Sequence, residues 1–206
     1  MRAGQPTDDA ELSAALAQSI VACRGLNERD AYYRLRDFIH GNSPAGRKSI
    51  LTNDAPYGSG ETLRATLRPL TYEESCASFD RGEMPDKPTN GSLMRCAPVP
   101  LAYRSDPFMS VNIARRQSRI THVHETAVTA CVIYTILVSF ILDGDPPQDA
   151  WQHTRQMVAP MGYPEAQEIL DIEVSEPTED DIWPHWGAAL ISFRVALWAA
   201  LTARDF

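Results

Sequence analysis

An all-helical chain is the fold this sequence predicts. Apolar residues recur at three- and four-residue spacing, sustained two-residue alternation is hard to find, and capping signatures stand ahead of several periodic runs. With 206 residues and a formal net charge of -8, one large domain (1–206) with a substantial core is expected.

The elements run in order. Leu12, Ala15, Leu16, Ser19 and Ile20 mark one face of a first helix. Asn27 stands as N-cap to a second carrying Ala31, Leu35, Phe38 and Ile39, which His40-Gly41-Asn42 closes. Residues 42–60 read as a Gly- and Pro-rich loop around Arg47-Lys48, giving way to a helix with Leu63 and Leu67. Thr71 and Glu74 form a capping box before Cys76 and Phe79. A second loop over 80–92 ends in the turn pair Asn90-Gly91, with Ser92 able to cap the element after it. Asp106-Pro107 starts a helix towards Ser118.

The stretch from about Glu125 to Leu142 is the most apolar. Its uninterrupted part, Ala127 to Leu142, falls short of the roughly 18 to 20 residues that span a bilayer, and Thr129, Thr135 and Ser139 break it. A buried central helix is expected there, stopping at Asp143-Gly144. Helices over Trp151–Val158 and Pro164–Ile172 come next. An acidic segment with Glu173, Glu176, Glu179, Asp180 and Asp181 reads as a solvated loop. From Trp186 the chain is Ala-rich and helical, with Leu190, Phe193, Leu197 and Leu201 on one face.

Charge and cysteine usage narrow the function. An acidic chain is repelled by phosphate backbones, so a small or protein-attached ligand fits better than nucleic acid. Cys23, Cys76, Cys96 and Cys131 are widely spaced, which suggests reduced, packed thiols in a cytoplasmic protein rather than a zinc site or disulfide frame. No apolar stretch of signal-peptide kind comes after a basic start.

Three local features can carry chemistry. Thr7-Asp8-Asp9 sets three oxygen donors at the mouth of the first helix, a set suited to a hard cation. Two readings stand: a metal-binding turn, or the simpler capping box of Asp8 with Glu11. Asn90-Gly91-Ser92 is a turn that can also present free backbone N–H groups to a phosphate. His122 and His124 have the spacing of zinc ligands, but no third His or Cys stands nearby in sequence, so hydrogen bonding or stacking at the start of the buried helix is favoured.

In order, these features resemble the ADP-ribosylglycohydrolase family, of the dinitrogenase reductase-activating glycohydrolase kind. The resemblance rests on Pro6-Thr7-Asp8-Asp9-Ala10-Glu11, on Thr89-Asn90-Gly91-Ser92-Leu93-Met94-Arg95-Cys96-Ala97-Pro98, on Thr121-His122-Val123-His124 and on Ala196-Leu197-Trp198-Ala199. It implies a single orthogonal helical bundle and metal-assisted hydrolysis of an ADP-ribosyl glycosidic bond. Thr7, Asp8 and Asp9 would ligate Mg2+ or Mn2+, dinuclear in the family. Asn90, Gly91, Ser92, His122 and His124 would lie against ADP-ribose, free or on a modified protein. Arg95 would pair with an internal carboxylate, and Met94 would pack.

Two family segments have no counterpart here. The family begins with a G-x-x-x-G-D-x-x-G helix and closes its metal site with G-G-D-T-D-T after the A-L-W-A helix; here Met1 stands six residues before Thr7 and Phe206 is the last residue. The expectation is therefore an incomplete metal site, with apolar surface uncovered at Leu12, Leu16 and Leu197 and no catalytic residue assigned. The alternative function is a catalytically silent ADP-ribose-binding or structural relative.

Overall fold

The apolar spacing ahead of Arg24 closes into helix α1, Asp8–Cys23, whose buried face is Glu11, Leu12, Ala15, Leu16, Ser19 and Ile20. This computed structural model describes residues 5–40, 51, 58–172, 174–182 and 187–203. Most of the 42–60 loop, with the Gly41-Asn42 helix stop, lies outside the described residues. Helix α2, Glu28–His40, lies along α1 and starts where Asn27 Oδ1 accepts from the Asp30 amide at 3.0 Å. Together they bury Leu12, Leu16, Leu35 and Phe38, each contributing about 1.5–3 kcal/mol through removal from water.

Short helices α3, Glu61–Thr66, and α4, Tyr72–Asp80, come next; α4 carries the expected capping box of Thr71 and Glu74. A 3-10 turn over Asn90–Ser92 leads to α5, Pro98–Tyr103, a helix the apolar spacing does not signal because it is barely two turns and carries two prolines. Ser92 does not cap it. Its side chain is fully buried instead.

Helix α6, Pro107–Arg119, is capped by Asp106, which accepts from the Met109 amide at 3.0 Å. It delivers the chain to α7, Glu125–Leu142, the centre of the fold, against which α5, α6 and later helices pack. By length and composition α7 could cross a membrane, yet most of its residues are buried inside this protein. Helix α8, Pro147–Val158, starts four residues before the expected Trp151, because Pro147 serves as a first-turn residue. Then come α9, Ala166–Leu170, shorter than expected, and α10, Glu179–Ile182, a single turn inside the acidic segment read as loop. Helix α11, Ala189–Thr202, returns to pack on α7 and α8.

One apolar cluster draws on residues from α1 through α11. Two expectations fail against it. Leu12, Leu16 and Leu197 are buried, since α2 covers the first two and α7 and α8 receive α11. The four free thiols also divide: Cys96 and Cys131 are packed, whereas Cys23 and Cys76 are exposed, because Ser75 rather than Cys76 takes the inward position on α4.

Candidate functional site

At the start of α1 the N-cap position belongs to Thr7, not Asp8, and no side chain caps the helix. The capping-box reading therefore fails. The Thr7 hydroxyl donates to Asp9 Oδ2 at 2.9 Å, tying two of the three oxygen-bearing side chains together. Asp9 is exposed and Asp8 half-buried. Glu11, which a capping box would hold at the surface, is fully buried one turn into the helix. Asp8 and Glu11, three residues apart, share one side of α1.

Gly58 lies directly against Asp8. A Cβ built on Gly58 would stand 2.3 Å from Asp8 Oδ1, and its φ of +85° is one that residues with side chains rarely adopt. Two residues beyond Gly60 comes Thr62 in α3, whose hydroxyl accepts from Thr89 Oγ1 at 3.2 Å. Leu63, next along, packs against Gly91. Helix α1 meets the same loop from its other side, where the Ser13 hydroxyl donates to the Met94 carbonyl at 3.3 Å. Ser13 is about 7.5 Å along the helix from Asp8. The acidic helix start and the Asn90–Ser92 turn are thus neighbours around α3.

The turn itself is tied to α11. Thr89 and Ala188 form an isolated antiparallel bridge, the Asn90 amide donates to the Gly187 carbonyl at 2.7 Å, and Asn90 Nδ2 donates to Ser192 Oγ at 2.9 Å. Gly91 is packed on the imidazole of His122; a Cβ there would lie 2.8 Å from His122 Cε1. Ser92 lies deeper, its hydroxyl bonded to Ser118 Oγ at 2.8 Å and accepting from Cys131 Sγ at 3.5 Å. Asn90 is half-buried at the surface of this assembly, while Gly91, Ser92 and His122 form its floor.

The two histidines take different roles. His124 is the N-cap of α7, with Nδ1 accepting from the Thr126 amide at 3.3 Å, and stays half-buried. His122 is buried, with Nδ1 hydrogen-bonded to Thr121 Oγ1 at 2.8 Å and Nε2 without a partner. Burial, helped by the Arg95 charge, pushes its pKa down to about 3. The unfolded chain binds this proton near pH 6.5, so the stability that neutral His122 contributes is complete above that pH and is lost as pH falls towards 3. Denaturant unfolding at pH 7 and pH 4 should reveal this. The wild-type loss on acidification should exceed that of His122→Gln by about 3 kcal/mol, and equal losses would contradict the assignment.

Arg95 differs from expectation. Among the described residues it meets no carboxylate: Nε donates to Gln117 Oε1 at 3.1 Å and Nη2 to the Gln117 carbonyl at 2.7 Å, while Nη1 is buried without a described partner. Burial lowers its pKa to about 10, so it remains charged at neutral pH. Met94 is partly buried and packs on the core. Sequence reasoning gave no role to Gly58, Gln117, Ser118 or Ser192. Nothing in their local spacing marks them, because each matters through a partner at least 22 residues away in the chain, the nearest being Gln117 with Arg95.

Among the described residues, no group of three or more His, Cys, Asp or Glu side chains is arranged to hold a metal ion. The donors that fit a hard cation are Thr7, Asp8 and Asp9, an oxygen set on one helical turn that suits an ion keeping several waters. They do not make up a dinuclear set.

The fold matches a solved chain described as an ADP-ribosylglycohydrolase-related protein complex, with TM-score 0.70, 26% sequence identity, and coverage of 98% of this chain and 61% of that one. Its fold class is therefore the all-helical one seen in that ADP-ribosylglycohydrolase-related chain. The ADP-ribosylglycohydrolase family model matches residues 1–206, and the chain belongs to that family. A curated relative, ADP-ribosyl-[dinitrogen reductase] glycohydrolase of Rhodospirillum rubrum, is 28% identical over 145 residues, 70% of this chain and 44% of that protein. This chain spans less than two thirds of either relative.

Proposed function

We propose that this protein acts on ADP-ribose attached through a glycosidic bond, as an ADP-ribosylglycohydrolase, with residues 1–206 forming one domain. The observation that carries the reading is the meeting of the acidic start of α1, the Asn90–Ser92 turn and the His122–His124 segment around α3. Asn90, with the backbone of Gly91 and Ser92, would hold the diphosphate and ribose. His124 would border the ligand at the half-buried surface, and neutral His122 would support the turn from below. Thr7, Asp8 and Asp9 would hold Mg2+ or Mn2+, which when bound supplies Lewis-acid stabilisation of developing oxygen charge and orients ribose hydroxyls. In the hydrolysis, water attacks the anomeric carbon of the distal ribose and the bond to the modified group breaks. A carboxylate of the α1 start would take the water's proton, and the leaving group regains one. The exposed free thiols of Cys23 and Cys76 support a reducing, cytoplasmic setting.

A second reading, an ADP-ribose-binding relative without hydrolase activity, is favoured by the lack of a three-carboxylate cluster among the described residues. Calorimetric titration with ADP-ribose, with and without Mn2+, separates the two. Binding that requires Mn2+ supports the hydrolase reading, binding indifferent to metal supports the silent relative, and no binding under either condition overturns both.

A further inference from the structure

We propose that Gln117 is the positioning residue of the ADP-ribose loop, holding the 90–95 turn in its ligand-ready shape without touching ligand. The proposal rests on the reading that this turn holds ADP-ribose. Gln117 is fully buried in the last turn of α6 and meets the loop with its side-chain amide and its backbone carbonyl. Its Oε1 accepts from Arg95 Nε at 3.1 Å, its backbone carbonyl accepts from Arg95 Nη2 at 2.7 Å, and its Nε2 donates to the Ser92 carbonyl at 3.2 Å. One planar amide therefore joins the last residue of the Asn90–Ser92 turn to Arg95. Ser118 adds a second tie, bonding the Ser92 hydroxyl at 2.8 Å and donating to the His122 carbonyl at 3.2 Å. Helix α6 thereby sets the spacing between the Asn90 turn and the His122 segment.

The amide meets both demands at this position. Arg95 is a buried cation that needs an acceptor, and the Ser92 carbonyl is a buried acceptor that needs a donor. A carboxylate satisfies Arg95 more strongly than the amide does, yet turns an acceptor towards Ser92. A methionine fills the volume and satisfies neither. Stability and loop shape can thus be separated, which a purely packing role for Gln117 does not allow.

Gln117→Glu and Gln117→Met, made in the full chain, test this through thermal unfolding, amide hydrogen exchange and ADP-ribose titration in the presence of Mn2+. Gln117→Glu should keep the wild-type melting temperature, because its pairing with Arg95 compensates for the lost bond to Ser92. Its amides at Gly91, Ser92 and Leu93 should exchange faster while those of α8 do not, and ADP-ribose binding should weaken about tenfold, the cost of leaving a buried acceptor unmade. Gln117→Met should lose both stability and binding. The proposal is overturned if Gln117→Glu exchanges and binds like wild type, or if its melting temperature falls as far as that of Gln117→Met. If the wild-type chain binds no ADP-ribose, the functional reading fails, and the exchange rates at Gly91 to Leu93 still decide whether Gln117 shapes the loop.

Discussion

Replacing Arg95 with alanine should destabilise the protein by about 3 kcal/mol or more, lowering its melting temperature by roughly 6–12 °C for a chain of this size. Arg95 is fully buried and makes two charge-assisted bonds to Gln117. Truncation leaves the Gln117 oxygen and carbonyl facing a cavity the length of the longest side chain in the core, and both the unmade bonds and the lost packing act against the fold. One effect opposes them. A buried guanidinium with no carboxylate carries a large desolvation cost, and its removal returns that cost to the stability. Arg95→Met, which keeps the stem and drops the charge, should therefore destabilise clearly less than Arg95→Ala. Equal losses from the two variants, or an unchanged melting temperature in Arg95→Ala, would show that Arg95 does not organise this core.

Asp8→Ala should weaken Mn2+ binding by at least about 100-fold, the upper end of what changes behind a metal's own ligands produce. Stability should fall far less than in Arg95→Ala, since Asp8 stands half-buried in the first turn of α1 and not in the core. Gly58→Ala should reproduce the metal defect from a residue that supplies no ligand side chain. Its new methyl group would fall 2.3 Å from Asp8 Oδ1 at a φ of +85°, so the carboxylate has to move. Titration of both variants with Mn2+ checks the pair. Wild-type affinity in Asp8→Ala would remove the metal role from this turn altogether.

Much of the fold is legible in the sequence because it is local. The inward faces of α1 and α2, the Asn27, Thr71 and Asp106 starts, and the extent of α7 all derive from spacing within a dozen or so residues, and the structure carries them. The failures are of another kind. Asp8 and Glu11 have capping-box spacing, but tertiary packing draws Glu11 inside and leaves Thr7 bonded to Asp9. Arg95 calls for a carboxylate by its charge, and a neutral glutamine with a backbone carbonyl meets that need. Gly91 can be read as a turn residue, yet the space beside it is occupied by His122, so its missing Cβ has a packing cause invisible in sequence. The segments of the candidate site can be named from the resemblance, whereas the groups that hold them together, Gly58, Gln117, Ser118 and Ser192, are defined only by the fold.

Paramagnetic broadening by Mn2+ tests most directly whether the acidic start of α1 and the Asn90 turn form one site. In a heteronuclear spectrum of the assigned chain, substoichiometric Mn2+ should erase the amide signals of Asp8, Asp9, Gly58 and Ser59 first. Those of Asn90 and Gly91 should be lost next, while the amides of α8 and α9 stay sharp. Added ADP-ribose should then shift Asn90, Gly91 and His124 in the diamagnetic Mg2+ form. Broadening centred elsewhere on the surface, or ADP-ribose shifts that avoid the Asn90 turn, would contradict a shared site.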